Sequence, residues 1–196
     1  MRSLIFMLAG GAMLFGGAFW SATTQAADPT PPTPPAETSG DDEQQIQAAI
    51  NELPEADRPL AVAQRWCAVE QDNRLGSMGT PVKLMLDGKP VFLCCSGCVK
   101  RAKANSKATL AAAATLSKIT TNLAKLSDGD RQEAETQKFC AIKQQVRLGS
   151  TGTPVKVTID GKPIFVCCSK CAVQAAENPG DALAKATALR VKNLTR

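Results

Sequence analysis

The stretch Asp87-Gly88-Lys89-Pro90-Val91-Phe92-Leu93-Cys94-Cys95-Ser96-Gly97-Cys98 decides the fold, because it returns 73 residues later as Asp160-Gly161-Lys162-Pro163-Ile164-Phe165-Val166-Cys167-Cys168-Ser169-Lys170-Cys171. Asp-Gly is a preferred two-residue turn of a β-hairpin, since both turn positions must accept positive φ. The pattern predicts a strand over Val82–Leu86, a turn at Asp87-Gly88, and a returning strand over Pro90–Leu93 that delivers two adjacent cysteines. A helix is expected from about Cys98 through Ala102.

Working outward, Arg74-Leu75-Gly76-Ser77-Met78-Gly79-Thr80-Pro81-Val82-Lys83 returns as Arg147-Leu148-Gly149-Ser150-Thr151-Gly152-Thr153-Pro154-Val155-Lys156, and Cys67 returns as Cys140. No gap is needed between Leu53 and Asn178, and about half of the aligned positions are identical, which is internal duplication. In each copy a short helix (Arg58–Trp66, Asp130–Phe139) precedes the first cysteine. A second helix, Ala108–Leu126, carries Leu116, Ile119, Leu123 and Leu126 on one stripe, read as a packing face between the copies. Its counterpart is Asp181–Leu194, and a helix over Asp42–Leu53 leads in. The expected fold class is α+β: two tandem, small, treble-clef-like modules, residues 43–123 and 124–196.

The N-terminus reads as an export signal. Arg2 precedes an apolar run from Leu4 to Trp20, and small residues before Ala27 offer a cleavage site after Ala26. Residues 1–26 are therefore expected to be a signal peptide, with an uncleaved membrane anchor as the alternative, and no later segment is apolar enough to span a membrane. Residues 27–42 form a Pro-rich acidic linker, including Asp28-Pro29-Thr30-Pro31-Pro32-Thr33-Pro34-Pro35. The expected location is periplasmic or secreted.

From Leu60 onward 21 basic residues face 10 acidic ones. Nucleic-acid binding is not expected, because no aromatics are interleaved and the compartment is wrong. Eight thiolates would add eight negative charges and two divalent ions would return four, which reduces that surplus. Tyr and His are absent and aromatic content is 4%, so small cores of this kind need a metal or disulfide staple.

Each copy spaces its cysteines as one distant residue, an adjacent pair, and one at a helix start. Exposed N–H groups at a helix start favour thiolates, and thiolates select soft ions such as zinc or copper(I). The candidate ligands are Cys67, Cys94, Cys95 and Cys98, then Cys140, Cys167, Cys168 and Cys171. Successive side chains on an extended chain point to opposite faces. One member of each adjacent pair is therefore expected to join the distant cysteine and the helix-start cysteine, leaving the other free or completing a distorted four-thiolate site.

The run Gly88–Cys98 with Asn105, and its second copy through Phe165–Cys171 and Glu177-Asn178-Pro179, resembles the YHS and TRASH metal-binding domains. The resemblance implies a treble-clef-like fold and heavy-metal sensing, handling or trafficking, often beside efflux systems. It assigns ligand roles to Cys67, Cys94 and Cys98, and to Cys140, Cys167 and Cys171. This chain differs in lacking a second cysteine after Cys67 and Cys140, in its longer spacer, and in carrying Cys95 and Cys168.

The expected function is that of an exported zinc- or copper(I)-binding protein, with metal ions as ligands and a metal-efflux or envelope protein as partner. Two alternatives are a disulfide-stapled interaction module and a thiol–disulfide redox protein built on Cys95-Ser96-Gly97-Cys98 and Cys168-Ser169-Lys170-Cys171. No βαβ pattern surrounds that motif, and no other catalytic constellation occurs, so the chain is not expected to be an enzyme. Met78 and Met85 become Thr151 and Thr158 in the second copy, and the first site is therefore expected to be the more copper-prone. The competing expectation is that both methionines fill packing gaps.

Overall fold

The computed structural model describes residues 40–194; the expected signal peptide and the linker as far as residue 39 lie outside them. The order of elements is α1 (Gly40–Asn51), α2 (Arg58–Gln64), β1 (Val82–Leu86), β2 (Lys89–Leu93), a 3-10 turn (Ser96–Cys98), α3 (Val99–Ala104), α4 (Ser106–Leu123), α5 (Asp128–Gln137), β3 (Val155–Ile159), β4 (Lys162–Val166), α6 (Ser169–Glu177) and α7 (Pro179–Leu194). Helices and two small antiparallel hairpins make the fold α+β. None of the helices among the described residues is long and apolar enough to cross a membrane.

Both hairpins take the register that their sequences demand. Val82 faces Leu93 in the first and Val155 faces Val166 in the second. The turns Asp87-Gly88 and Asp160-Gly161 hold φ of 47° and 72°, then 50° and 74°, positive at all four positions. In β2, Val91, Phe92 and Leu93 are all buried, as are Ile164, Phe165 and Val166 in β4. The strand that delivers the cysteines is therefore covered on both faces, which fixes its position more firmly than a half-exposed strand could.

Two apolar clusters form the interior. The first gathers Leu53, Ala61, Leu75, Leu86, Phe92, Leu93 and Ala113; the second gathers Leu116, Ile119, Leu123, Leu148, Phe165, Ala182 and Ala186. Helix α4 contributes to both, Ala113 to the first and the expected stripe to the second. Equivalent positions explain this. Gly76 packs against Ile46 of α1, and Gly149 packs against Ile119 of α4, the residue 73 positions after Ile46. The second half of α4 thus does for the second copy what α1 does for the first.

Several element ends depart from expectation for local reasons. The helix before Cys67 stops at Gln64, not Trp66, because Arg65 turns the chain with φ 63° and ψ −40°. Trp66 N–H then donates to the Gln64 carbonyl at 2.7 Å, closing a three-residue γ-turn. Lys138 does the same after α5, with φ 65° and ψ −41°. Helix α5 starts at Asp128 because the Ser127 hydroxyl accepts from Asp130 N–H at 3.3 Å. The helix after the cysteines is continuous only in the second copy. Gly97 weakens it in the first, and the opening turn tightens to 3-10; Lys170 stands there in α6.

The copies meet at Trp66, which lies in the second cluster and is stacked by two guanidinium groups, Arg65 at 5.3 Å and Arg147 at 4.7 Å from the ring centroid. Arg65 also pairs with Glu135 at 2.8 Å, Lys138 pairs with Asp72, and Arg147 donates to the Gln71 carbonyl at 3.1 Å.

Gly149 has φ 88°, and an added Cβ would stand 3.0 Å from the Ile119 carbonyl oxygen; Gly152 has no neighbour within 4 Å of that position. Gly149→Ala should therefore cost at least about 2 kcal/mol, from left-handed strain and overpacking together. Gly152→Ala should change the urea midpoint little, so comparing the two unfolding curves checks the helix-to-loop contact.

Candidate metal centre

Three elements converge on each cysteine cluster. The γ-turn throws the chain from the helix end into a tight loop that presents Cys67 or Cys140. The returning strand ends on Cys94 or Cys167, and the next turn of helix carries Cys98 or Cys171. The loop is fastened at its base, where Cys67 N–H donates to the Asn73 carbonyl and Cys140 N–H to the Val146 carbonyl, both at 2.9 Å. The Cys67 sulfur accepts from Val69 N–H at 3.4 Å and from Glu70 N–H at 3.3 Å, and the Cys140 sulfur accepts from Lys143 N–H at 3.3 Å. Such donors stabilise charge on sulfur.

The Sγ atoms of Cys67, Cys94 and Cys98 all lie within 4.8 Å of one another, as do those of Cys140, Cys167 and Cys171, and all six residues are buried. Cys67 to Cys98 and Cys94 to Cys98 are each 3.8 Å, and Cys167 to Cys171 is 3.7 Å. A tetrahedral ion with metal–sulfur bonds of about 2.3 Å has sulfur–sulfur edges of about 3.8 Å. The donor set is soft, the spacing fits, and the two triads are positioned to hold a metal ion.

Cys95 and Cys168 stand apart from these triads. Their backbones are extended, with φ and ψ of −160° and 170°, and −165° and 168°. Their side chains therefore turn away from those of Cys94 and Cys167 and are half-buried at the rim. Their sulfurs remain 4.0 and 3.9 Å from the adjacent buried ones.

No protein-family model, curated protein or solved structure matches the chain.

Acidity divides the thiols differently from the expectation that the whole helix-start group is lowered. Burial, then hydrogen bonding with Cys67, pushes the Cys94 thiol up to about 12. Burial pushes Cys98 and Cys167 up, and Cys171 up to about 11. The rim residues are lowered, Cys95 chiefly by Gly97 N–H and Cys168 chiefly by Cys171 N–H. Helix-start N–H groups act on the exposed sulfurs, while desolvation dominates at the buried ones.

Sequence reasoning passed over Gln64 and Gln137. The buried Gln64 amide donates to the Trp66 carbonyl at 2.8 Å and the Phe92 carbonyl at 2.7 Å, and accepts from Phe92 N–H at 3.0 Å. Gln137 repeats this with Phe139 at 2.8 Å and with Phe165 at 2.6 and 2.9 Å. Each glutamine ties the γ-turn to the strand two residues before the first adjacent cysteine. The available signal was a polar residue, identical in both copies, at the end of a short helix facing the core. Gln64→Leu should leave the Trp66 carbonyl and Phe92 N–H unsatisfied, with the Phe92 carbonyl kept only by Ala68 N–H, and cost about 2–4 kcal/mol. Thermal unfolding of the metal-free protein checks it, with Gln71→Leu as an exposed control.

The raised thiols also set a pH dependence. In the metal-free, reduced protein the folded chain holds the Cys94 proton more tightly than the unfolded chain, whose thiols have the ordinary value of 9.0. Stability should be full below about pH 9 and fall as pH rises towards 12. Urea unfolding at neutral and alkaline pH should show this fall, and a smaller one for Cys94→Ala.

Proposed function

We propose that this protein is an exported binding protein for soft transition-metal ions, zinc or copper(I), held by three buried thiols in each copy. One observation carries the reading: two independent cysteine triads with mutual sulfur distances suited to one ion. Disulfides consume sulfurs in pairs, whereas a closed triangle of three uses every sulfur on a common centre. The resemblance to YHS and TRASH domains supports the same reading, and with it two treble-clef-like modules in which knuckle, hairpin and helix converge. The apolar N-terminal run of residues 4–20 supports export to the periplasm or beyond. Metal handling beside an efflux or envelope protein is the role that follows, and binding, not catalysis, is the activity.

Cys67, Cys94 and Cys98 are the ligands of the first site, and Cys140, Cys167 and Cys171 those of the second. Cys95 and Cys168, at the rim, are placed to take the fourth position or to exchange an ion with an incoming thiolate.

The reduced protein should bind two ions, falling to one when Cys67→Ser and Cys98→Ser are combined, as read by elemental analysis of protein isolated from its own compartment. Recovery of Cys67, Cys94 and Cys98 in native disulfides would overturn the reading. Binding must also displace protons from Cys94 and Cys98, both raised. The logarithm of the apparent affinity at the first site should rise by about 2 or more per pH unit near neutrality, measured by chelator competition in protein carrying Cys140→Ser and Cys171→Ser.

A further inference from the structure

The two triads are alike in their sulfurs and unlike in what stands over them. At the first, the Asn73 side-chain amide donates to the Met78 sulfur at 3.7 Å and to the Cys94 sulfur at 3.8 Å, so one amide nitrogen spans both. Met78 is 58% exposed, which removes the packing explanation for this residue. The amide thus links the Met78 loop to the triad. At the second site Val146 and Thr151 occupy these positions. Val146 has no amide to donate, and the Thr151 hydroxyl turns instead to the Cys167 carbonyl at 3.3 Å. Met85, 54% exposed on the outer face of β1 opposite Pro90, has no such relation to the sulfurs.

Resting on the metal-binding reading above, we infer that Met78 is a thioether donor to the first site, making that site selective for copper(I) over zinc while the second is not. The rim cysteines are common to both sites and cannot distinguish them. Met78 and Asn73 can. A thioether is soft, uncharged and free of a proton, so it adds affinity for a monovalent soft ion and little for zinc. Met78 has an exposed side chain whose sulfur shares one amide donor with the Cys94 sulfur, which keeps the thioether beside the triad. Asn73 joins the two. Its backbone carbonyl anchors Cys67 and would do so equally well from valine, as Val146 does for Cys140.

The test uses the full chain with one site silenced at a time, by Cys140→Ser with Cys171→Ser or by Cys67→Ser with Cys98→Ser. Copper(I) and zinc are each titrated against a chromophoric chelator. The ratio of copper(I) to zinc affinity is expected to be about tenfold or more higher at the first site, in line with the added soft ligand. Met78→Thr and Met78→Leu should both abolish the excess, and Val146→Asn with Thr151→Met should confer it on the second site. Equal ratios at the two sites, or retention of the excess in Met78→Leu, would overturn the inference and leave the metal-binding reading standing. Failure of either ion to bind at either site would instead remove that reading, and the inference with it. Should silencing disturb folding, sulfur-shell counts by X-ray absorption on the copper(I)-loaded intact chain decide. With both sites filled, about half a sulfur fewer per copper in Met78→Leu supports the inference, and no change overturns it.

Discussion

The buried amide of Gln64, and of Gln137 in the second copy, is the interaction on which the rest depends. A cysteine triad drawn from distant parts of a chain needs its parts brought to one point before it could hold an ion. The hairpin strand and the helix-start cysteine come as a unit, linked by four residues of chain. Cys67 does not; the glutamine ties the helix end and the γ-turn to the carbonyl and N–H of Phe92, and Ala68 N–H adds one backbone bond to the same carbonyl. These bonds lie away from water, where an unmade partner costs more than a made bond contributes. The amide therefore fixes relative position more than it adds stability. The strained φ of Arg65 and Lys138 is tolerated because this frame leaves the chain no other route.

The same frame explains how unequal the six buried thiols and the two rim thiols are. A strand covered on both faces ends in an extended residue, so one sulfur enters the low-dielectric interior and its neighbour meets solvent and helix-start N–H groups. Proton affinity rises at the first and falls at the second. The two environments sit one residue apart, and both copies reproduce them.

Much of this was open to reading in the residues alone. Asp-Gly fixed the hairpins, the constant offset tied Cys67 to Cys140, and the alternation of an extended chain separated Cys94 from Cys95. Other features had no local signal. Neither Arg65 nor Lys138 belongs to the residue types that favour positive φ, so the γ-turns follow from tertiary constraint alone. Periodicity placed Leu116, Ile119 and Leu123 on one face of a helix but not in the interior of the following copy, because a stripe does not name its partner. The lowered acidity expected for the whole helix start was correct only where water reaches, since helix-end fields compete with desolvation and burial could not be read from spacing.

Helix α4 carries a consequence for how such a chain can grow. Its first half closes one copy and its second half opens the next, so a copy can be added but not excised: a cut after Leu123 strips the following copy of Leu116, Ile119 and Leu123. Helix α7 occupies the closing position, with Ala182 and Ala186 buried 73 residues after Thr109 and Ala113. Where α4 goes on to present Ile119 to the next core, α7 presents an exposed Lys192. One lysine for one isoleucine thus changes what the same helix position offers, from a side chain for a neighbouring core to a charge for solvent.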